Sequence, residues 1–86
     1  MTAFEFVTEY FYNPKRHDAP RLDIKIDSRS LAQECAQFQA AAKNGTYYTR
    51  ENYNNMRFFA KMYFKPEDAT RVYELIANFA LYGDLR

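Results

Sequence analysis

At 86 residues and a formal net charge of +1, the chain has the size of one small domain, 1–86. It lacks both the basic excess of a duplex-DNA binder and the strong acidity of a DNA mimic. Hydrophobic residues are 48% of the chain and aromatics 19%, which excludes a disordered polypeptide and leaves more Tyr and Phe than a core of this size takes up.

In chain order, Ala3 to Tyr12 is rich in aromatic residues, and its alternation predicts a first strand. Phe4, Phe6, Tyr10 and Tyr12 fall on one face, with Glu5, Val7, Glu9 and Phe11 on the other. Asn13-Pro14 breaks it, and the polar segment through Pro20 reads as a loop. Lys15, Arg16, His17 and Arg21 make this loop the most basic cluster, with Lys15, Arg16 and Arg21 as a candidate basic patch. Leu22, Ile24 and Ile26 alternate with Arg21, Asp23, Lys25 and Asp27, which predicts a second, half-buried strand paired with the first.

Asp27, Ser28 or Ser30 can cap a helix, Ser30 having Gln33 at the capping-box spacing. Leu31, Cys35, Phe38 and Ala42 then trace one helical face, and Asn44-Gly45 tolerates the left-handed cap that ends it. Cys35 on that stripe reads as a small buried hydrophobe, not a nucleophile. Thr46 to Tyr53 carries Tyr47, Tyr48 and Tyr53 around Arg50 and Glu51 and predicts a third strand, with a turn before Asn55.

From Asn55 to Phe64, Met56, Phe58, Ala60, Met62 and Phe64 alternate with Arg57, Phe59, Lys61 and Tyr63. This predicts a fourth strand with the even-numbered residues in the core and the odd-numbered row outside. Pro66, Glu67 and Asp68 open a last helix whose core face is Ala69, Val72, Ile76 and Phe79, widened by Tyr73, Leu75 and Ala80, with Gly83 as its cap. The expected fold is therefore α+β, in the order ββαββα: a four-stranded, largely antiparallel sheet with two helices packed on one face.

The single cysteine rules out an intrachain disulfide and points to a reducing compartment. Glu5 and Glu9 interrupt the only apolar N-terminal run, and no run reaches the ~20 apolar residues of a membrane span. The expected location is the cytoplasm. Asn44-Gly45-Thr46 matches a glycosylation sequon, against which that compartment argues.

Little in the residues supports catalysis. His17 is the only histidine and has no Cys or His at metal-ligand spacing. Ser28 and Ser30 stand at cap positions, adjacent Glu67 and Asp68 diverge on a helix, and Gly45 and Gly83 terminate helices instead of cradling phosphate. The chain is read as a non-enzyme with no cofactor and no metal.

The stretch Arg57 to Phe64 resembles the eight-residue signature of the RNA-recognition motif. Arg57, Phe59, Ala60 and Phe64 match that pattern, Met62 is an acceptable aliphatic, and the following PEDA helix is similar too. Phe58 replaces a glycine, Lys61 replaces a base-stacking aromatic, and the expected element order differs from βαββαβ. The likeness is an analogy over some twenty residues. What it implies is a base-stacking row of Arg57, Phe59, Lys61 and Tyr63.

Three functions follow. The first is a non-catalytic protein-binding module, a small inhibitor or regulator of a larger enzyme or nucleoprotein complex, of the type that phages and mobile elements encode. Its contact would use Arg57, Phe59, Lys61, Tyr63, Tyr47, Tyr48, Arg50 and Tyr53, with Tyr10 and Tyr12 as further surface tyrosines. The second is a single-stranded RNA or DNA binder using Arg57, Phe59, Lys61 and Tyr63, helped by Lys15, Arg16 and Arg50. The third is a homodimer that hides the aromatic face against itself.

Overall fold

A computed structural model describes residues 1–83 of the chain. Among these residues the elements are α1 (Ala3–Phe11), α2 (Ser28–Asn44), α3 (Arg50–Tyr63), a 3-10 turn (Pro66–Asp68) and α4 (Ala69–Tyr82). The expected ββαββα sheet is overturned, and the fold is all-helical. The one β pairing among the described residues is an isolated antiparallel bridge between Leu22 and Phe64.

Three of the four expected strands are corrected by local signals. The first is α1, opened by a capping box: the Glu5 N–H donates to Thr2 Oγ1 at 3.1 Å, and the Thr2 N–H to Glu5 Oε1 at 2.9 Å. That arrangement satisfies two otherwise orphaned donors of the first turn. Phe6, Val7 and Phe11 face inward at helical offsets, while Phe4 is exposed. Thr46 to Tyr53 is a short connection and then the start of α3, where Thr49 caps by accepting from the Asn52 N–H at 3.2 Å. The fourth expected strand is most of α3. Arg50–Tyr63 holds no β-branched residue, so nothing in it resists helical rotamers.

The α3 register reverses part of the expected face. Met56, Phe59 and Ala60 are buried in α3, and Phe64 just beyond it. Phe58 and Met62, expected inside, are 62% and 48% exposed, whereas Phe59, expected outside, is 2% exposed. The remaining expected strand, 22–26, is an irregular crossing that touches the α3–α4 junction. The Asp23 N–H donates to the Tyr63 carbonyl at 2.8 Å and the Lys65 N–H to the Arg21 carbonyl at 3.0 Å, flanking the Leu22–Phe64 bridge. Leu22 and Ile26 are half-buried and Ile24 is exposed. The Tyr12 hydroxyl donates to the Ile26 carbonyl, tying the end of this crossing to the end of α1.

The two expected helices are present. Asp27 caps α2 by accepting from the Ser30 N–H at 2.8 Å, so Ser30 is inside the helix and not its cap. Leu31, Ala32, Cys35, Phe38 and Ala41 are buried. Gly45 ends α2 at φ 84°, where its N–H reaches the Ala41 carbonyl. Pro66 opens the 3-10 turn that feeds α4, whose buried residues are Val72, Ile76, Phe79 and Ala80.

Helix α2 packs against each of the other three helices, and α3 lies against α4. A chain of rings joins them through one core. Phe79 stacks on Phe6 with centroids 4.4 Å apart, Phe6 meets Phe11 edge-on, Phe11 meets Phe64, and Phe64 meets Phe59, which meets Phe38 edge-on. Offset and edge-to-face pairs of this kind each contribute about 0.5–1.5 kcal/mol beyond their burial. No helix among the described residues is long and apolar enough to cross a membrane.

Candidate partner-binding groove

Helical periodicity brings Arg50 onto the face that Tyr53, Arg57 and Lys61 share. On α3, Arg50, Tyr53, Arg57 and Lys61 recur at offsets of three, seven and eleven, which places them on one flank beside α4. Tyr53 and Tyr73 of α4 meet edge-to-face across the helix pair, with centroids 5.8 Å apart. Two adjoining hollows share this tyrosine pair. The larger, of about 700 Å³, is lined by Tyr47, Tyr48, Thr49, Arg50, Tyr53, Met56, Tyr73 and Leu81. The smaller, of about 330 Å³, is lined by Tyr53, Arg57, Ala60, Lys61, Ala69, Thr70 and Tyr73.

The groove has an apolar floor and polar walls. Met56, Ala60, Ala69 and Leu81 supply the floor, and the tyrosines and cations form the walls. Tyr47 and Tyr48 are held at its head by Asn52, a buried side chain on α3. Asn52 donates from Nδ2 to the Tyr47 carbonyl at 2.9 Å, while its backbone N–H is the one taken by the Thr49 cap. Tyr47 packs edge-on against Tyr48, which is 85% exposed. Burial pushes the Tyr47 and Tyr73 hydroxyls above their ordinary value, so both keep their protons at neutral pH and can donate as well as accept.

The described lining of the groove is positive. Among the described residues no carboxylate lines either hollow. Among the described residues, Arg50, Arg57 and Lys61 make no ion pair, although Arg57 stands over the Tyr53 ring at 5.7 Å. Some cations elsewhere are paired: Arg16 with Glu9 at 2.8 Å, Lys65 with Asp23 at 2.8 Å, and Arg71 with Asp68 at 2.9 Å. Among the described residues Lys15, Lys25, Arg29 and Lys43 are also without ion pairs, but they are spread over the 12–27 connection and α2 and line neither hollow.

The residues expected to bind a partner therefore divide. Tyr47, Tyr48, Arg50, Tyr53, Arg57 and Lys61 come together at the groove. Phe59 does not, because it is a core ring, and Tyr63 is half-buried with its ring 5.2 Å from Phe59. The expected outer row of Arg57, Phe59, Lys61 and Tyr63 does not exist as a face, and the base-stacking arrangement implied by the RNA-recognition signature goes with it.

The expected basic patch is also dismantled. Arg16 is committed to Glu9 and lies over the Tyr10 ring at 4.4 Å. Arg21 is tied to Asp68 at 3.4 Å and to Glu67 at 3.6 Å, leaving Lys15 alone uncommitted. Tyr10 is half-buried against Phe6, and Tyr12 is occupied by the Ile26 carbonyl.

Sequence reasoning missed Tyr73 as a groove residue, having given it to the core, and missed Asn52 as its organiser. Tyr73 lies four residues after Ala69 and one after Val72, at the edge of the α4 core stripe, and that border position was the available signal. No family model, curated protein or solved structure matches this chain.

Proposed function

We propose that this chain is a non-catalytic protein-binding module, a small cytoplasmic inhibitor or regulator of a larger enzyme or nucleoprotein complex, and that it binds through the α3–α4 groove. One observation carries the reading: three cations without ion pairs among the described residues share a groove with four tyrosines, whereas Arg16, Arg21 and Arg71 are each paired. Tyr and Arg are the residues that most often dominate the energetics of protein interfaces, and a hollow with an apolar floor gives them something to anchor around. A two-fold homodimer through the same face is disfavoured, because it would bring the three cations toward their own copies with no carboxylate of the described lining to offset them.

The test is a comparison of native chain and Tyr53→Ala/Arg57→Ala as baits in extract of the native host, with and without nuclease. Both side chains are substantially exposed, so the variant is expected to melt within a few degrees of the native chain. It is expected to lose the proteins that the native chain retains after nuclease treatment. A variant that captures the same proteins as the native chain would place the interface elsewhere.

A further inference from the structure

Resting on that reading, we infer that the groove is built for an acidic amphipathic helix of another protein, laid along α3 and α4. The spacing of the cations carries the argument. Arg50, Arg57 and Lys61 are separated by seven and four residues on one helix, two turns and then one, which at 1.5 Å per residue spans roughly 16 Å. Carboxylates on a second helix at the same offsets would all lie on one face and meet the cations pair for pair. Apolar residues between those carboxylates would then enter the hollows over Met56 and Ala60.

Single-stranded nucleic acid fits the groove less well. Stacking needs free ring faces, yet Tyr53 is engaged by Tyr73 and by Arg57, and Tyr47 is edge-packed on Tyr48. Of the groove tyrosines only Tyr48 is largely open to solvent. Three cations would neutralise too few phosphates to hold a strand firmly, and the net charge of +1 adds little long-range attraction.

The probes are four: a 16-residue amphipathic peptide with Leu on one face and Glu at offsets of zero, seven and eleven, its scrambled isomer, its Lys counterpart, and a dT15 oligonucleotide. Each is titrated into the isotope-labelled full-length chain and followed by amide chemical shifts. The expected result is saturable binding of the Glu peptide, with shifts confined to Thr46–Lys61 and Ala69–Leu81. The scrambled isomer should bind at least about tenfold more weakly, as should the native pair when Arg57→Glu/Lys61→Glu replaces the native chain. That magnitude is what a few interfacial charge pairs supply. The charge-reversed chain should bind the Lys peptide instead.

No binding of the Glu peptide, equal binding of its scrambled isomer, or shifts outside Thr46–Lys61 and Ala69–Leu81 would overturn the inference. So would preference for dT15, which would identify the groove as a nucleic-acid site. Failure here remains distinct from failure of the broader reading. If host proteins are lost by Tyr53→Ala/Arg57→Ala but still held by Arg57→Glu/Lys61→Glu, the groove binds protein and the acidic helix is wrong.

Discussion

Asp68 shows how much one residue can organise without announcing itself. Its carboxylate is buried and accepts from the Arg21 backbone N–H at 2.9 Å and from Arg71 Nη2 at 2.9 Å, with Arg21 Nε at 3.4 Å. Arg71 also donates to the Asp18 carbonyl, so one carboxylate fixes the long 12–27 connection onto the start of α4. The Arg21 backbone N–H, and then the Arg71 side chain, hold the carboxyl at a pKa of about 2, below its ordinary 3.8. Because the folded value is the lower one, this stabilisation is complete above about pH 5 and disappears as pH falls through about 2. At about 1.4 kcal/mol per tenfold change in proton affinity, it amounts to roughly 2 kcal/mol. Asp68→Asn is therefore expected to lower stability by about 2 kcal/mol in denaturant titrations at pH 7, with the gap to the native chain closing between pH 5 and pH 2. A gap that is the same at both ends would show that the ionised carboxylate is not what matters. In sequence Asp68 looks like an ordinary acidic residue of a first helical turn, because its main partner, Arg21, is 47 residues away. Cys35 was legible for the opposite reason: its apolar neighbours recur locally, and its thiol is buried and pushed up to about 12.

At the scale of elements, ends were read more securely than the choice between helix and strand. Asn44-Gly45 marks the end of α2, and Gly45 stands at φ 84° with nothing near its missing Cβ. Gly45→Ala meets no clash and only backbone strain, so it is expected to cost about 1–2 kcal/mol. Thermal unfolding checks this, and a neutral or stabilising result would mean that the cap relaxes to another conformation. The helix–strand confusion has a definite origin. Periods of 2 and 3.6 agree on residues four apart, so Met56, Ala60 and Phe64 face the core under either. They disagree at Phe58 and Phe59, where the alternation of large residues looked conclusive. Signals against strands were present in the chain. Thr2 and Glu5 stand at capping-box spacing, and Arg50–Tyr63 contains no Val, Ile or Thr. Aromatic richness masked both, since Phe and Tyr fit a pleated surface and a helical core equally well when they can bury their rings.

For the whole molecule, the helical register of α3 decides what kind of surface exists. As a strand, the segment would display Arg57, Phe59, Lys61 and Tyr63 in a row. As a helix it turns Phe59 into the ring chain joining α1, α2 and α4, and gathers Arg50, Tyr53, Arg57 and Lys61 against Tyr73. Six of the eight residues expected to bind a partner stay together, because helical spacing keeps Arg50, Tyr53, Arg57 and Lys61 on one flank and Asn52 holds the Tyr47–Tyr48 segment at its head. The sheet that was expected to present them does not form. The groove, its charge and its proposed acidic partner all depend on this register. The most direct measurement is the pair Phe58→Ala and Phe59→Ala, each unfolded in denaturant at pH 7. Phe59→Ala empties a buried ring position and is expected to cost about 3–5 kcal/mol, enough to unfold a marginal small domain. Phe58→Ala changes an exposed side chain and is expected to stay within about 0.5 kcal/mol of the native chain. The reverse order, a damaging Phe58→Ala beside a harmless Phe59→Ala, would restore the strand and remove the groove.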